Sequence, residues 1–449
     1  MRSIKPRVGV LAVGRNTFDV AYAQEILTEA WQALADLDFE VVGIQALLFD
    51  SDEVSVALSE LKSHTLDIIL QLQVTFTDAT MTLEIARELD APLVMWSFPE
   101  PRTGGRLRLN SFCGVNLAAH ALSRAQLHYD YVHGGPNDGA ALARIKTLAT
   151  AAAVKRSLTN VRIGVIGKHP DGFDACMFTQ AELSNLFGIE IEEHELIPFL
   201  NGVKELDDAV ALPHFEERQQ VLINLADMDR SATIKTLKAY EAMRRLIDER
   251  GYAGLAVRCW PEFFTHYGAA ACGALALLNE KYIPGGCEAD VHGVITSLLL
   301  QRLAGEPAFN TDLVDIDRET DTCVFWHCGQ APLQMADPEA EIRATIHSNR
   351  KLPLLNEFPL KPGHITMARL SKGHGKTSMV LGSGEMIRAP LAFSGTAGIA
   401  RLDSPVDEVL ENLMRAGLEH HTAIVYGEHR PALRALARFL GIGVVELTR

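Results

Sequence analysis

The 449-residue sequence predicts an α/β protein whose C-terminal part is rich in β-structure, and three observations carry that prediction. Short apolar runs alternate with helical patterns through the first third, and a second alternation of the same kind begins near residue 160. After about residue 313, strand-like runs follow one another and helices return only near the end. Alternating strands and helices make a parallel sheet with crossover helices, whereas strand after strand across glycine-bearing turns makes an antiparallel barrel or sandwich. At roughly 150 residues per domain the length fits three domains, which divide at 1–158, 159–312 and 313–449.

In the first segment, residues 8–13, 41–44, 68–72 and 93–96 are short and rich in Val, Ile or Leu, as strands buried on both faces are. Residues 21–37 and 81–89 place apolar side chains three and four apart, the period of an amphipathic helix. Gly134-Gly135-Pro136 marks a turn, and residues 138–154, rich in Ala, Leu and Lys, read as a long helix. The second segment opens with a strand at 161–166, the loop KHPDGF and a helix from about Thr179, followed by a strand at 190–194. A charged amphipathic helix at 234–250, a strand at 254–257, a small-residue helix at 267–279 able to pack closely on a neighbour, and a helix at 292–303 complete it. The third segment carries strand-like runs at 322–326, 364–370, 378–382 and 422–426, and helices at 406–416 and 430–440.

Lys and Arg number 42 against 57 Asp and Glu, a net charge of −15. A surface of that sign repels nucleic-acid phosphates and anionic lipid, so neither nucleic acid nor membrane is expected as a partner. The apolar stretch at 8–13 is followed by Arg15 and is shorter than the ~7–15 residues of a secretory core. The stretch 268–278 falls short of the ~18 residues that span a bilayer. A cytoplasmic protein is expected. The seven cysteines (113, 176, 259, 272, 287, 323 and 328) are odd in number, widely spread and without a C-x-x-C pair, which predicts reduced thiols.

Two glycine-bearing loops imitate phosphate motifs. Residues 164–173, GVIGKHPDGF, follow a strand but lack the G-x-G-x-x-G order, and a tight turn is the simpler reading. Residues 371–377, SKGHGKT, end like a P-loop, yet strand-like runs flank them on both sides, so a hairpin turn is expected. No G-x-S-x-G and no H-E-x-x-H appears. The polar groups left at predicted strand ends are Glu262 in RCWPEF, Glu288 and Asp290 in GGCEAD, His327 in WHCG and the pair His420-His421 in LEHHT. Each has an ordinary explanation. Glu262 suits a helix N-terminus, Asp290 an N-cap, His327 a strand rim, and the histidine pair a helix C-terminus. Taken together, two carboxylates and one or two imidazoles suit a Mn²⁺-class ion. Such an ion polarises a sugar carbonyl while carboxylates move a proton between neighbouring carbons.

The runs RCWPEF, CGALALLNE, IPGGCEADVHGVITSLLLQRLAGEPAFNTD, VFWHCG, GHITMARL and GLEHHTAIVYGEH, in this order, resemble the L-fucose isomerase/L-arabinose isomerase superfamily, and most closely its shorter fucose isomerase-like members. The resemblance covers the whole chain, more firmly from about residue 160 onward. It implies two Rossmann-like α/β domains followed by a β-rich, barrel-like C-terminal domain, and Mn²⁺-dependent (or other divalent-metal) aldose–ketose isomerisation through an enediol. On it, Glu262 is a metal ligand and acid/base. Asp290 is the second such carboxylate, with Glu288 its rival, because the arabinose branch uses a Glu in this region. His421 is the metal imidazole and His327 an additional ligand.

The resemblance further implies a homo-oligomer in which a neighbouring subunit closes the pocket. Arg15, Trp96 and His420 are the substrate-binding candidates. The substrate expected is a pentose, deoxyhexose or modified hexose, including a sulfonated one, for whose anion Lys168 or Arg258 would be the partner. A metal-free sugar-binding or regulatory protein on the same fold, and a metal-dependent epimerase or dehydratase, are the alternatives.

Overall fold

The computed structural model of the chain describes residues 4–449. They form two compact units. One takes in the described residues up to Ser157 together with Pro431–Ile442, and the other Leu158–Arg430 with Gly443–Arg449.

The first unit alternates β1 (Arg7–Val13), α1 (Val20–Ala35), β2 (Glu40–Leu48), α2 (Ser51–Leu61), β3 (Ile68–Gln73), α3 (Thr80–Glu88), β4 (Leu93–Ser97), α4 (Ser111–Arg124), β5 (Tyr129–His133) and α5 (Gly139–Ser157). Its five strands are all parallel, in the order β2-β1-β3-β4-β5. Every residue of β3 and β4 is buried, which is why those strands read as mostly apolar runs, interrupted only by the buried Gln71, Gln73 and Ser97. Asp19 and Asp50 start α1 and α2 by accepting the backbone N–H of Tyr22 and Glu53. The segment Pro431–Ile442 belongs to this unit, where Arg438 pairs with the buried carboxylate of Asp130 at 3.2 Å.

The second unit begins with β6 (Arg162–Ile166), α6 (Gln180–Phe187), β7 (Glu190–His194), α7 (Leu196–Glu205), α8 (Leu212–Gln219), α9 (Arg230–Arg250), β8 (Tyr252–Val257), α10 (Ala271–Glu280), β9 (Gly285–Gly286) and α11 (Val291–Ala304). The four strands are parallel in the order β7-β6-β8-β9. There follow β10 (Phe309–Asp317), β11 (Thr322–His327), β12 (Arg343–Thr345), β13 (Leu355–Pro359), β14 (Gly363–Ser371), β15 (Ser378–Ile387), β16 (Thr396–Leu402), α12 (Val406–Ala416), β17 (His421–Tyr426) and β18 (Gly443–Glu446), while α13 (Arg430–Leu440), between the last two, belongs to the first unit from Pro431 on.

Strands β16-β11-β10-β17-β14-β15 are antiparallel neighbours, and β15 pairs with β16 again, so the six close into a barrel with no free edge among them. Phe309, Phe325, Met367, Val380, Met386 and Ile424 fill it. Of the barrel and sandwich alternatives, the structure takes the barrel. β10 starts at Phe309, which lies opposite Ile424, so a division at residue 312 falls inside a barrel strand. The SKGHGKT run is the hairpin between β14 and β15, with Ser371 opposite Ser378. Among the described residues no helix is long and apolar enough to cross a membrane.

The small-residue helix packs as closely as its composition predicts. A methyl group on Gly273 in α10 would overlap the carbonyl oxygen of Leu354, a backbone atom with no rotamer to yield. Gly273→Ala is expected to destabilise the protein by about 3 kcal/mol, measured as a shift of the urea midpoint.

One expectation is corrected. Cys259 and Cys287 are joined as a disulfide, with Cα atoms 5.7 Å apart. Their distance in sequence concealed the pairing. β8 and β9 are adjacent parallel strands with Leu255 opposite Gly285 and Ala256 opposite Gly286, so the residues that follow them emerge side by side. The other cysteines are free, with Cys113 exposed and Cys176, Cys272, Cys323 and Cys328 buried.

Candidate active site

The C-terminal ends of β8 and β9 carry the carboxylates singled out in the sequence, as expected of ligand-binding residues in a parallel sheet. Asp290 is the N-cap of α11, and its Oδ1 accepts the N–H of Gly293 at 2.9 Å. A Cβ on Gly293 would press on the Asp290 carboxylate and the Asn310 side chain, so only glycine lets the helix start this close to them. Asp290 has no exposed surface. Its Oδ2 accepts from Arg369 at 2.5 Å and from Nδ1 of His421 at 2.8 Å. Burial alone would raise its pKa, but the charge of Arg369 and the His421 hydrogen bond hold it well below the usual 3.8. Asp290 is therefore a permanent anion, with no proton to give near neutrality.

His421 opens β17 and is 2% exposed. With Nδ1 on Asp290, its Nε2 points the other way and lies 3.6 Å from both Glu288 Oε2 and Asp312 Oδ1. Glu288 also accepts from His420 Nε2 at 3.1 Å and from the indole of Trp260 at 3.1 Å. Burial would lift this carboxyl, but the hydrogen bond from His420 and the neighbouring His421 bring it below its ordinary value. Glu288 and Ala289 both adopt left-handed backbone, φ 58° and 55°. Such conformations cost on the order of 1–3 kcal/mol each and concentrate at functional sites. The ring of Phe173 meets those of Trp260 and His420 edge-on, making an aromatic wall beside Glu288.

His327 ends β11, 4% exposed, with its ring centroid 6.2 Å from that of His421. Its Nδ1 accepts the N–H of Cys328 at 2.9 Å, which leaves the hydrogen of a neutral ring on Nε2. Glu262 stands apart. Its carboxylate accepts from Nε of Arg258 at 2.8 Å, which outweighs burial and holds it below its ordinary pKa. It faces a cavity of about 450 Å³ lined by Gly167, Lys168, Arg258 and residues 193–198 at the ends of β6, β7 and β8. Glu193 and Glu195 are on that lining as well. Among the described residues no contact joins Glu262 to Asp290 or His421.

The remaining two candidates lie in the other unit. Arg15 follows β1 and pairs with Asp78 at 2.8 Å. Trp96 is corrected to a core residue. It has no exposed surface, packs on Phe98 and donates its indole N–H to the carbonyl of Gly134. Parallel β4 runs in the sheet interior, and this buries its last residues as fully as its first.

Two residues of the site were missed in the sequence. Arg369 is a charge inside the apolar run HITMARL, and that anomaly is a readable signal of a buried partner. Asp312 offers no such signal, because only the pairing of β10 with β17 sets it opposite His421. Its Oδ1 is buried and accepts no hydrogen bond. His421 Nε2 has a carboxylate oxygen on each of two neighbours, Glu288 Oε2 and Asp312 Oδ1, each 3.6 Å away. Ligand atoms of Asp312, His327 and His421 lie within 4.8 Å of one another. Oxygen with imidazole nitrogen fits a divalent ion of the Mn²⁺ class. Cys176 also borders this cluster, and burial with Asp290 and Glu288 nearby raises its thiol pKa.

Residues 9–162 match the family model described as fucose/sulfoquinovose isomerase, N-terminal domain, and residues 325–448 match L-fucose isomerase, C-terminal domain. A sulfoquinovose isomerase of Alkalicoccus urumqiensis is 31% identical over 439 residues, 97% of this chain and 98% of the relative. One of Priestia megaterium is 31% identical over 431 residues, 96% of each chain, and one of Clostridium sp. (strain MSTE9) is 30% identical over 441 residues, 97% of each. With both terminal domain models matched and full-length relatives at 30–31% identity, the chain belongs to the fucose isomerase-like family.

Proposed function

We propose that this protein is a metal-dependent aldose–ketose isomerase acting on a sulfonated hexose of the sulfoquinovose type. The observation that carries the reading is the convergence of Glu288, Asp290, His420 and His421 from two distant chain segments into one largely buried cluster. Full-length similarity to proteins named sulfoquinovose isomerases supports the substrate class. His421, held by Asp290, and the carboxylate of Glu288 would hold a divalent cation, which would supply Lewis-acid polarisation of the substrate carbonyl.

The chain's own side chains do the rest. Arg258 keeps Glu262 ionised, which makes Glu262 the group able to take the proton from the carbon next to the carbonyl and return it to the neighbouring carbon. His420, 43% exposed at its side chain and hydrogen-bonded to Glu288, presents an imidazole to sugar hydroxyls. Phe173 and Trp260 wall off water. Lys168, exposed on the cavity that Glu262 faces, and the Arg258 guanidinium are the cationic partners for a sulfonate. A homo-oligomer whose neighbouring subunit closes the pocket is part of this reading.

The test is proton exchange in D₂O, read by NMR, with Mn²⁺-loaded protein and sulfoquinovose. Deuterium at C2 with formation of the matching ketose is the expected result; no exchange and no ketose would sink the reading. Glu262→Gln is expected to abolish exchange, by roughly 10²–10⁴-fold, while the circular dichroism spectrum and melting temperature stay those of the parent. Unchanged turnover would remove Glu262 from the chemistry.

A further inference from the structure

We infer that Arg350 is a further sulfonate-binding residue of this site, and the one that sets its preference for a sulfonated over a neutral hexose. The inference rests on the isomerase reading above and deepens its substrate class. Arg350 is half-buried, and its guanidinium lies 5.1 Å from the ring centroid of Trp260 and 5.1 Å from that of Phe264. Among the described residues no carboxylate pairs with it and no acceptor takes its side-chain N–H groups. Aromatic rings hold a cation without using its donors, so the whole guanidinium fork stays available. Arg258 is more committed: Nε donates to Glu262 at 2.8 Å, and Nη1 to the carbonyls of Lys168 and His169 at 3.4 and 3.0 Å. The turn that carries Arg350 is itself fixed. Buried His347 donates its N–H to the carbonyl of Leu352 at 2.9 Å, accepts the N–H of Lys351 at 2.8 Å, and takes the N–H of Arg350 on Nδ1 at 3.4 Å. Its ring meets that of Phe264 edge-on, with centroids 5.1 Å apart. A cation held in this way loses little freedom when an anion binds.

Its position suits the remote end of the sugar. The indole that Arg350 covers donates its N–H to Glu288 at 3.1 Å and meets Phe173 edge-on, so a single aromatic side chain separates the guanidinium from the carboxylate and imidazole cluster. A sulfonated hexose carries its anion on the carbon farthest from the carbonyl, and a cation set back from the reacting end by one ring is placed for it. A sulfonate stays charged at every working pH and offers three oxygens. Its match is a side chain that is always charged and presents parallel N–H groups, which is arginine and not lysine. A chain of net charge −15 repels an anionic sugar as a whole, so a local cation has to outweigh that field. A neutral hexose offers only a hydroxyl at this place and leaves a half-desolvated guanidinium without its anion, the kind of mismatch by which a polar site rejects an analogue.

The test compares the parent protein with Arg350→Met, Arg350→Lys and Lys168→Met. Steady-state kinetics on the Mn²⁺-loaded proteins with sulfoquinovose and with glucose would be joined to isothermal titration of both sugars in EDTA, which reads binding without turnover. Arg350→Met keeps an apolar stem between the two rings and is expected to raise KM for sulfoquinovose about 10²-fold, with kcat nearly unchanged because the residue is remote from the reacting carbons. Affinity in the titration should fall by the same factor, while the weaker response to glucose stays that of the parent. Arg350→Lys keeps the charge without the fork and should recover only part of the loss; if Arg350→Met melts well below the parent, this variant carries the test. Parent-like KM and affinity for sulfoquinovose in the Arg350 variants overturn the assignment, and so does an equal loss for glucose, which would mark a structural role. A loss confined to Lys168→Met also overturns it and moves the sulfonate to the cavity that Glu262 faces. A parent protein that binds neither sugar and forms no ketose overturns the isomerase reading itself.

Discussion

His421→Ala is expected to lower kcat/KM by roughly 10³-fold or more, which corresponds to about 4 kcal/mol of transition-state stabilisation. The size follows from how many groups depend on this one ring. Nδ1 engages Asp290, Nε2 faces Glu288 and Asp312, and the ring lies 4.2 Å, centroid to centroid, from that of His420. Without it, the three carboxylates lose the imidazole that stands among them, and divalent-ion binding should fall with turnover. Isothermal titration with Mn²⁺ and steady-state kinetics check the two effects together. Retention of both activity and metal affinity would displace His421 from the centre of the site. His421→Gln, which keeps a polar side chain at the start of β17, controls for loss of fold.

Arg369→Met is the change expected to cost most in stability, about 3–5 kcal/mol. The guanidinium is 3% exposed at its side chain and is the nearest cation to a carboxylate with no exposed surface, so its removal strands a buried negative charge. Linkage gives the effect a pH signature. Asp290 has a depressed pKa in the folded protein, so it contributes stability above its unfolded value near 3.8, and that stability is lost only as the pH falls through its lower folded value. Without Arg369 the depression shrinks, and acid unfolding should begin at a higher pH. Urea unfolding as a function of pH measures both, and Arg369→Met combined with Asp290→Asn should recover part of the loss. A single variant as stable as the parent at pH 7 would mean that Asp290 draws its stabilisation from the helix cap and His421 alone.

The parallel sheet of the first unit was legible because β3 and β4 are buried on both faces, and the residues that achieve this are mostly Val, Ile, Leu and Met. α12 and α13 were legible to the residue for a related reason: their apolar and charged faces alternate with helical period. β10 and β16 escaped because they are barrel strands of mixed exposure, with Asp312, Asp315 and Asp317 on one and Arg401 on the other interrupting any apolar run. The pairing that closes β15 onto β16 lies between segments whose contact depends on twist and register, which leave no mark in composition.

The sequence by itself determined the α/β alternation, the β-rich end, the family resemblance and the residue types at the site, because periodicity and chemical identity are local properties of the chain. Only the tertiary structure decided which polar groups meet. It put Asp312 opposite His421, a buried Arg369 on Asp290, Cys259 against Cys287, and Trp96 in the core. Those four outcomes rest on strand register and on neighbours 28 to 109 positions distant in the chain or on burial inside a sheet, none of which is a local property of the sequence.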